Sequence, residues 1–170
     1  MAPVRHTLSA PDPLTAAARE ALLLSYAELR ETIEALPADA LDWRPAGDDS
    51  NSIAVLVTHA MHSTRSWLSA ALGAPFPERD RPAEFRVRDI QPDALVAFCE
   101  QMTNDCLSLL DPSRTIDWSA LRDTHPRNRP GAEPQVTAGW ALLHAMEHLR
   151  EHVGQAFLTR QLWERLGRSP

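Results

Sequence analysis

Lysine is absent from this chain of 170 residues, and all 17 of its basic side chains are arginine. No mechanism built on a lysine Schiff base or a lysine general base is open to it. Cysteine is scarce as well. Cys99 and Cys106 are the two in the sequence, seven positions apart in a stretch of helical periodicity. That spacing advances about 10.5 Å along a helix axis, whereas bridged Cα atoms lie within about 7 Å of each other. They do not pair with each other, and both read as small core residues. No apolar run approaches the length of a membrane span, and the opening MAPVRHTLSAPDP has no signal-peptide core. The expectation is a soluble, cytoplasmic protein without membrane association. G-x-S-x-G, C-x-x-C and a glycine-rich phosphate loop are all missing, so a serine or cysteine nucleophile and a nucleotide site have no support. A formal net charge of −6 gives no pull towards nucleic acid.

What the chain does have is histidine in register. Three of its seven histidines, His144, His148 and His152, fall four apart in the stretch ALLHAMEHLREHVGQ. On a helix they stack along one face, a turn apart. Two neighbours can chelate one ion, but three cannot. Eight residues advance about 12 Å, and Zn–N bonds are about 2 Å long. Either His144/His148 or His148/His152 can share a metal, and a third ligand must come from elsewhere. Gly154 in mid-helix costs about 1 kcal/mol against alanine and predicts close approach of a backbone or ligand there.

Hydrophobic periodicity predicts an all-α fold, a four-helix bundle with long connections between helices one and two and between helices three and four. Residues 1–13 read as a flexible arm and 14–170 as a single domain. The first helix opens at Pro13 or Thr15 and ends near Leu36, before Pro37. The second is capped by Ser50, Asn51 or Ser52 and runs to Leu72. Residues 73–91 are proline-broken and read as loop with at most a turn of helix. The third helix spans Pro92–Leu110. Residues 111–134 form a long loop that carries four arginines and His125, the kind of loop that serves a site or an interface. The fourth helix runs from Pro134 to about Leu166. Leu143, Met146, Leu149, Val153 and Phe157 give it one apolar face, and Ala141, Ala145, Ala156 and Trp163 give a second. A helix apolar on two sides is central or shared with a second subunit, which points to a homodimer. The alanines near the histidines predict room for a pocket.

On the second helix His59 falls at the edge of the apolar stripe, and His62 nearly opposite it, where solvent is expected. His59 with His148 and His152 is therefore the candidate ligand set. Three imidazoles with an open fourth position match a catalytic zinc-type site, and the same set suits nickel, copper or iron. Surface or hydrogen-bonding histidines are the competing reading. His148-Leu-Arg-Glu151-His152 also fits H-x-x-E-H, but the downstream glutamate ligand of such peptidases has no equivalent, because Glu164 lies too far along the same helix.

Three segments together resemble the DinB/YfiT-like superfamily of metal-binding helical bundles: Leu41-Asp42-Trp43-Arg44-Pro45, Ser52–His59, and Glu147-His148-x-x-x-His152-x-Gly154-Gln155. The likeness runs over nearly the whole chain. It implies a three-histidine metal site at His59, His148 and His152, and leaves His144 outside it. The position just before the last histidine, often a second histidine in that family, is Glu151 here. Some members are transferases that use a low-molecular-weight thiol such as bacillithiol or mycothiol. The resemblance thus implies a divalent metal (nickel or zinc, with manganese or iron as alternatives), a thiol cosubstrate and an electrophile lying under the 111–134 loop. Glu151 and Gln155 are candidates for orienting a ligand histidine. No catalytic side chain is assigned. A non-catalytic metal-binding protein and a metal-dependent hydrolase are the alternatives.

Overall fold

Asp12 starts the first helix. Its carboxylate accepts hydrogen bonds from the backbone N–H groups of Leu14 and Thr15 at 3.0 and 3.1 Å, and Pro13 occupies the first helical position, where its missing N–H costs nothing. The computed structural model describes residues 12–125 and 133–167; the expected arm at 1–13 falls outside them except for Asp12 and Pro13. Helix α1 is Pro13–Ile33, α2 Ala38–Asp42, α3 Ile53–Leu72, α4 Arg81–Glu84, α5 Pro92–Leu109 and α6 Ala138–Leu162. Two short strands, β1 (Leu121–Asp123) and β2 (Gln135–Thr137), pair antiparallel with Leu121 opposite Thr137.

The structure is mostly helical, with four long helices. Of these, α3 packs most extensively on α6 and then on α5, and α1 lies against both α5 and α6. The central helix of this arrangement is α3. Ile53, Ala54, Val55, Val57, Ala60, Leu68 and Ala71 along it are buried on several sides, as expected of a helix that is apolar over most of its surface. Ser52 caps its start by accepting from the Val55 N–H at 3.3 Å. At its end Gly73 turns left-handed (φ 65°) while the Ala74 N–H returns to the Ser69 carbonyl at 2.9 Å. A side chain with a Cβ would be strained in that conformation.

Several boundaries differ from expectation, each for a local reason. The first helix ends at Ile33, not Leu36, and the linker after it adds the single turn α2, whose Ala40 and Leu41 seal the core. The turn expected between 73 and 91 is α4. Helix α6 starts at Ala138, not Pro134, because Gln135–Thr137 pair with β1 and Thr137 then caps the helix through the Trp140 N–H. The 111–134 segment is therefore partly a strand, which satisfies backbone groups that a plain loop would leave open. His125 pins its described end: the ring is buried, edge-on to Phe76, 3.3 Å from the Pro77 carbonyl.

Two expectations for the fourth helix are corrected. A Cβ at Gly154 would meet nothing within 4 Å, so among the described residues no neighbouring backbone comes close to that glycine. The close approach is at Gly139, where a Cβ would come within 3.2 Å of the Trp118 carbonyl. The alanines do not leave a pocket: Ala141, Ala145 and Ala156 are fully buried core residues, the small side chains that let packed helix axes come close. The expected apolar face divides, with Leu149 and Val153 in the core and Leu143 and Phe157 exposed. Cys99 and Cys106 are both buried and free, as expected. Among the described residues no helix is long and apolar enough to cross a membrane.

Candidate metal centre

Helices α3 and α6 bring His59, His148 and His152 together. The three offer ligand atoms that all lie within 4.8 Å of one another. The Nε2 atoms of His148 and His152 are 3.3 Å apart. In a tetrahedral site with Zn–N bonds of 2.0–2.1 Å, ligand nitrogens are separated by about 3.3–3.4 Å. The two α6 histidines therefore already span one edge of such a site, and the residues present fit a divalent ion. His144 does not join them. Its ring is turned onto Trp140 and Trp67.

The orientation of two ligands is fixed by their other ring nitrogen. Glu84 can only accept from His59 Nδ1, 2.8 Å away, so in the neutral ring that nitrogen carries the proton and Nε2 is the one that can bind a metal. Glu84 is itself held by Arg79, whose Nε and Nη2 donate to its two oxygens at 2.6 and 2.9 Å. Both side chains of this ion pair are 3% exposed. Burial pushes the Glu84 carboxyl up, but hydrogen bonds from His59 and Arg79, with the charge of Arg79, outweigh it and hold the group below its ordinary range. Phe85 covers the His59 ring at 4.7 Å, and Arg81 lies over Phe85.

His152 is held from its own helix. Its Nδ1–H donates to Gln155 Oε1 at 2.8 Å, and Gln155 Nε2 donates in turn to Glu151 at 3.0 Å. Glu151 and Gln155 thus sit as a relay behind this histidine, and both are exposed. His148 differs: its Nδ1 is buried without a partner among the described residues. Burial, reinforced by the neighbouring His152, His59 and His144, drives its pKa down to about 3. It stays neutral at physiological pH, the state in which imidazole binds a metal. Burial also lowers His152, partly offset by the bond to Gln155.

Arg79, Glu84 and Phe85 were not legible as site residues. They come from a segment without hydrophobic period, and nothing in their spacing marks them. His62 is a second correction. It was expected in solvent, yet it is half-buried, with its ring 5.3 Å from Phe98 and its pKa lowered by burial. A cavity of about 280 Å³ lies between β1 and the end of α3, lined by Ser69, Gly73, Arg122 and Gln135 among others. None of the three histidines lines it, so the cavity that this loop covers is separate from the metal centre. Of the four arginines of the 111–134 segment, Arg114 and Arg122 lie within the described residues.

A family model of the DinB superfamily matches residues 21–156. The chain belongs to the DinB superfamily. Among solved structures, this DinB-superfamily chain is similar to one titled the conserved protein of locus from Enterococcus faecalis. That likeness has a TM-score of 0.68 at 20% identity and covers 87% of this chain and 95% of the other. At that identity the shared property is the fold. No curated protein matches the sequence.

Proposed function

We propose that this DinB-superfamily protein is a metal-dependent enzyme on a four-helix-bundle scaffold, of the thiol S-transferase type. His59, His148 and His152 hold a divalent ion, nickel or zinc ahead of manganese or iron. One observation carries the reading: three imidazole donors converge within 4.8 Å, a set that leaves a coordination position open. A metal with such a position deprotonates a coordinating thiol, supplying at neutral pH the thiolate that a free thiol of pKa about 8.5 mostly lacks.

The chain's own side chains support this chemistry in three ways. Glu84 and Gln155 fix the tautomers of His59 and His152, so that each presents Nε2 to the ion. Burial keeps His148 neutral. Cys99 and Cys106 are excluded as the nucleophile, because burial pushes both thiols up to about 12. The sulfur must therefore arrive on a small-molecule thiol. Its S–H proton is released to solvent, the thiolate sulfur keeps its own carbon and forms a new bond to the electrophilic carbon, and the leaving group departs with the electron pair of the bond that breaks.

The test is metal content by elemental analysis on wild type and on His59→Ala, His148→Ala and His152→Ala, followed by a thiol screen with a model electrophile. Near-stoichiometric metal that falls in all three variants is expected. Wild type that stays empty after incubation with nickel, zinc, manganese and iron would sink the site. Metallated protein with no rate above background for any thiol would sink the transferase reading alone.

A second reading is a non-catalytic protein in which the ion clamps α3 to α6. The buried Arg79–Glu84 pair behind His59 favours it, as a structural support for one ligand. Chelation would then lower the melting temperature sharply, and no exchangeable water would be seen on the ion. Hydrolysis by metal-activated water is separated from both by assay without thiol. Exposed Leu143, Phe157 and Leu158 on α6 support a homodimer, which sedimentation equilibrium would test.

A further inference from the structure

Proton positions in the metal-free centre follow from one exposed carboxylate, that of Glu151. A carboxylate can only accept, so the Gln155 amide nitrogen faces it at 3.0 Å and the amide oxygen faces His152 Nδ1 at 2.8 Å. The amide oxygen accepts as well. In the neutral His152 ring the proton therefore sits on Nδ1, and Nε2 carries a lone pair. That bare Nε2 lies 3.3 Å from His148 Nε2. Two lone pairs at such a distance repel, and a hydrogen bond between them needs a donor. His148 thus carries its proton on Nε2 and donates it to His152. Its Nδ1 is the bare nitrogen, buried and without a partner among the described residues.

The result is a chain of three bonds in which every donor points towards Glu151: Gln155 donates to Glu151, His152 to Gln155, and His148 to His152. Bonds aligned in this way polarise and strengthen one another. The last bond has a consequence for the ion. His59 gives its Nδ1 proton to Glu84 and keeps Nε2 free. The other two Nε2 atoms are spent on each other, one as donor and one as acceptor. The opposite tautomer of His148 is poorly served, because its Nδ1–H would be buried with no acceptor among the described residues, which is costly. The 3.3 Å separation also fits an occupied tetrahedral edge. Loading the site therefore asks the rings to move little and one proton to change places.

We propose that a hydrogen bond from His148 Nε2–H to His152 Nε2 latches the metal-free centre, and that His148 becomes a ligand only when its proton moves from Nε2 to Nδ1. On the metal-centre reading, which this deepens, an ion meets His59 first, gains His152 when the latch opens, and gains His148 last. The exchange balances: one proton leaves Nε2 for solvent and one arrives at Nδ1 from solvent, so the ring stays neutral.

The test is long-range proton–nitrogen NMR on the isotope-labelled full chain near neutral pH, before and after addition of zinc, with the rings assigned from the single histidine variants. Metal-free protein should show His148 protonated on Nε2, and His59 and His152 on Nδ1. Zinc-loaded protein should show all three protonated on Nδ1. Zinc affinity, read by competition with a chromophoric chelator, gives a second measure. His148→Ala removes a ligand and the latch together, so it should cost about 10-fold less affinity than His59→Ala or His152→Ala, which keep the buried Nδ1–H penalty.

Metal-free His148 protonated on Nδ1, or on both nitrogens, in protein that binds zinc would overturn the latch and leave the metal centre standing. An equal loss of affinity in all three variants would overturn it too. Wild type that binds no zinc would overturn the metal centre itself, and the proposal with it.

Discussion

His59 and His152 face each other across the α3–α6 seam at 5.3 Å between ring centres, yet they are held in opposite ways. Behind His59 stands a buried, charge-balanced pair, Glu84 and Arg79, delivered by a segment remote in sequence. Behind His152 stands an exposed relay, Gln155 and Glu151, delivered by the same helix within one turn. The first ties the ligand to the stability of the whole fold. The second tunes the ligand and costs the fold almost nothing. A site built this way has one rigid side and one adjustable side, and each can be perturbed alone.

Breaking the rigid side has the largest expected effect. Glu84→Gln keeps an acceptor for His59 Nδ1 but takes from the buried Arg79 guanidinium the carboxylate that it holds at 2.6 and 2.9 Å. Removing one partner of a buried pair costs about 3–5 kcal/mol, measurable by urea denaturation of the metal-free protein. The double variant Arg79→Met/Glu84→Gln should recover much of that loss, since the buried cation is removed together with the carboxylate it pairs with. A single variant as stable as wild type would show that the pair is not structurally coupled to the fold.

The histidines make the metal-free protein sensitive to acid, and the sign follows from the direction of the shifts. In the unfolded chain the His148 imidazole takes up a proton near its ordinary pKa of 6.5, whereas in the folded protein burial holds its pKa down to about 3. The unfolded state therefore binds more protons between those values, and stability falls as pH drops from 6.5 towards 3. His62, His144 and His152 are shifted in the same direction. Glu84, lowered from 4.5, adds a further loss as pH falls through its folded-state value. His148→Asn should flatten the dependence of unfolding free energy on pH by at most the contribution of one proton, about 1.4 kcal/mol per pH unit. An unchanged slope between pH 6.5 and 4 would show that His148 takes up its proton in the folded state.

The same contrast explains what the sequence could reveal. The adjustable side was legible because helical spacing converts directly into neighbourhood: His148 and His152 share a face at four residues, and Gln155 follows at three. His59 was legible from its place beside the apolar stripe of α3. The rigid side was not, since Glu84 and Arg79 reach the site through proline-broken backbone whose path no period encodes. His62 was misplaced for a related reason. The wheel of α3 registers one apolar stripe, but the helix is covered on several sides, and Phe98 of α5 covers the face assigned to water. His144 was legible as part of a row yet not as a stacking partner, because ring contacts with Trp67 and Trp140 depend on side-chain directions that spacing leaves open.

Loosening the adjustable side is the smallest perturbation and the sharpest test of the contrast. Gln155→Ala removes the acceptor of His152 Nδ1–H from an exposed position, so stability should change by no more than about 0.5 kcal/mol. Metal affinity should fall by about 10-fold, the low end for loss of a residue that orients a ligand, read by competition with a chromophoric chelator. Glu151→Ala should have a smaller effect, because it acts on His152 only through the Gln155 amide that it anchors. A Gln155→Ala protein destabilised as much as Glu84→Gln would remove the distinction between the two sides. It would also make the α6 relay part of the structural frame.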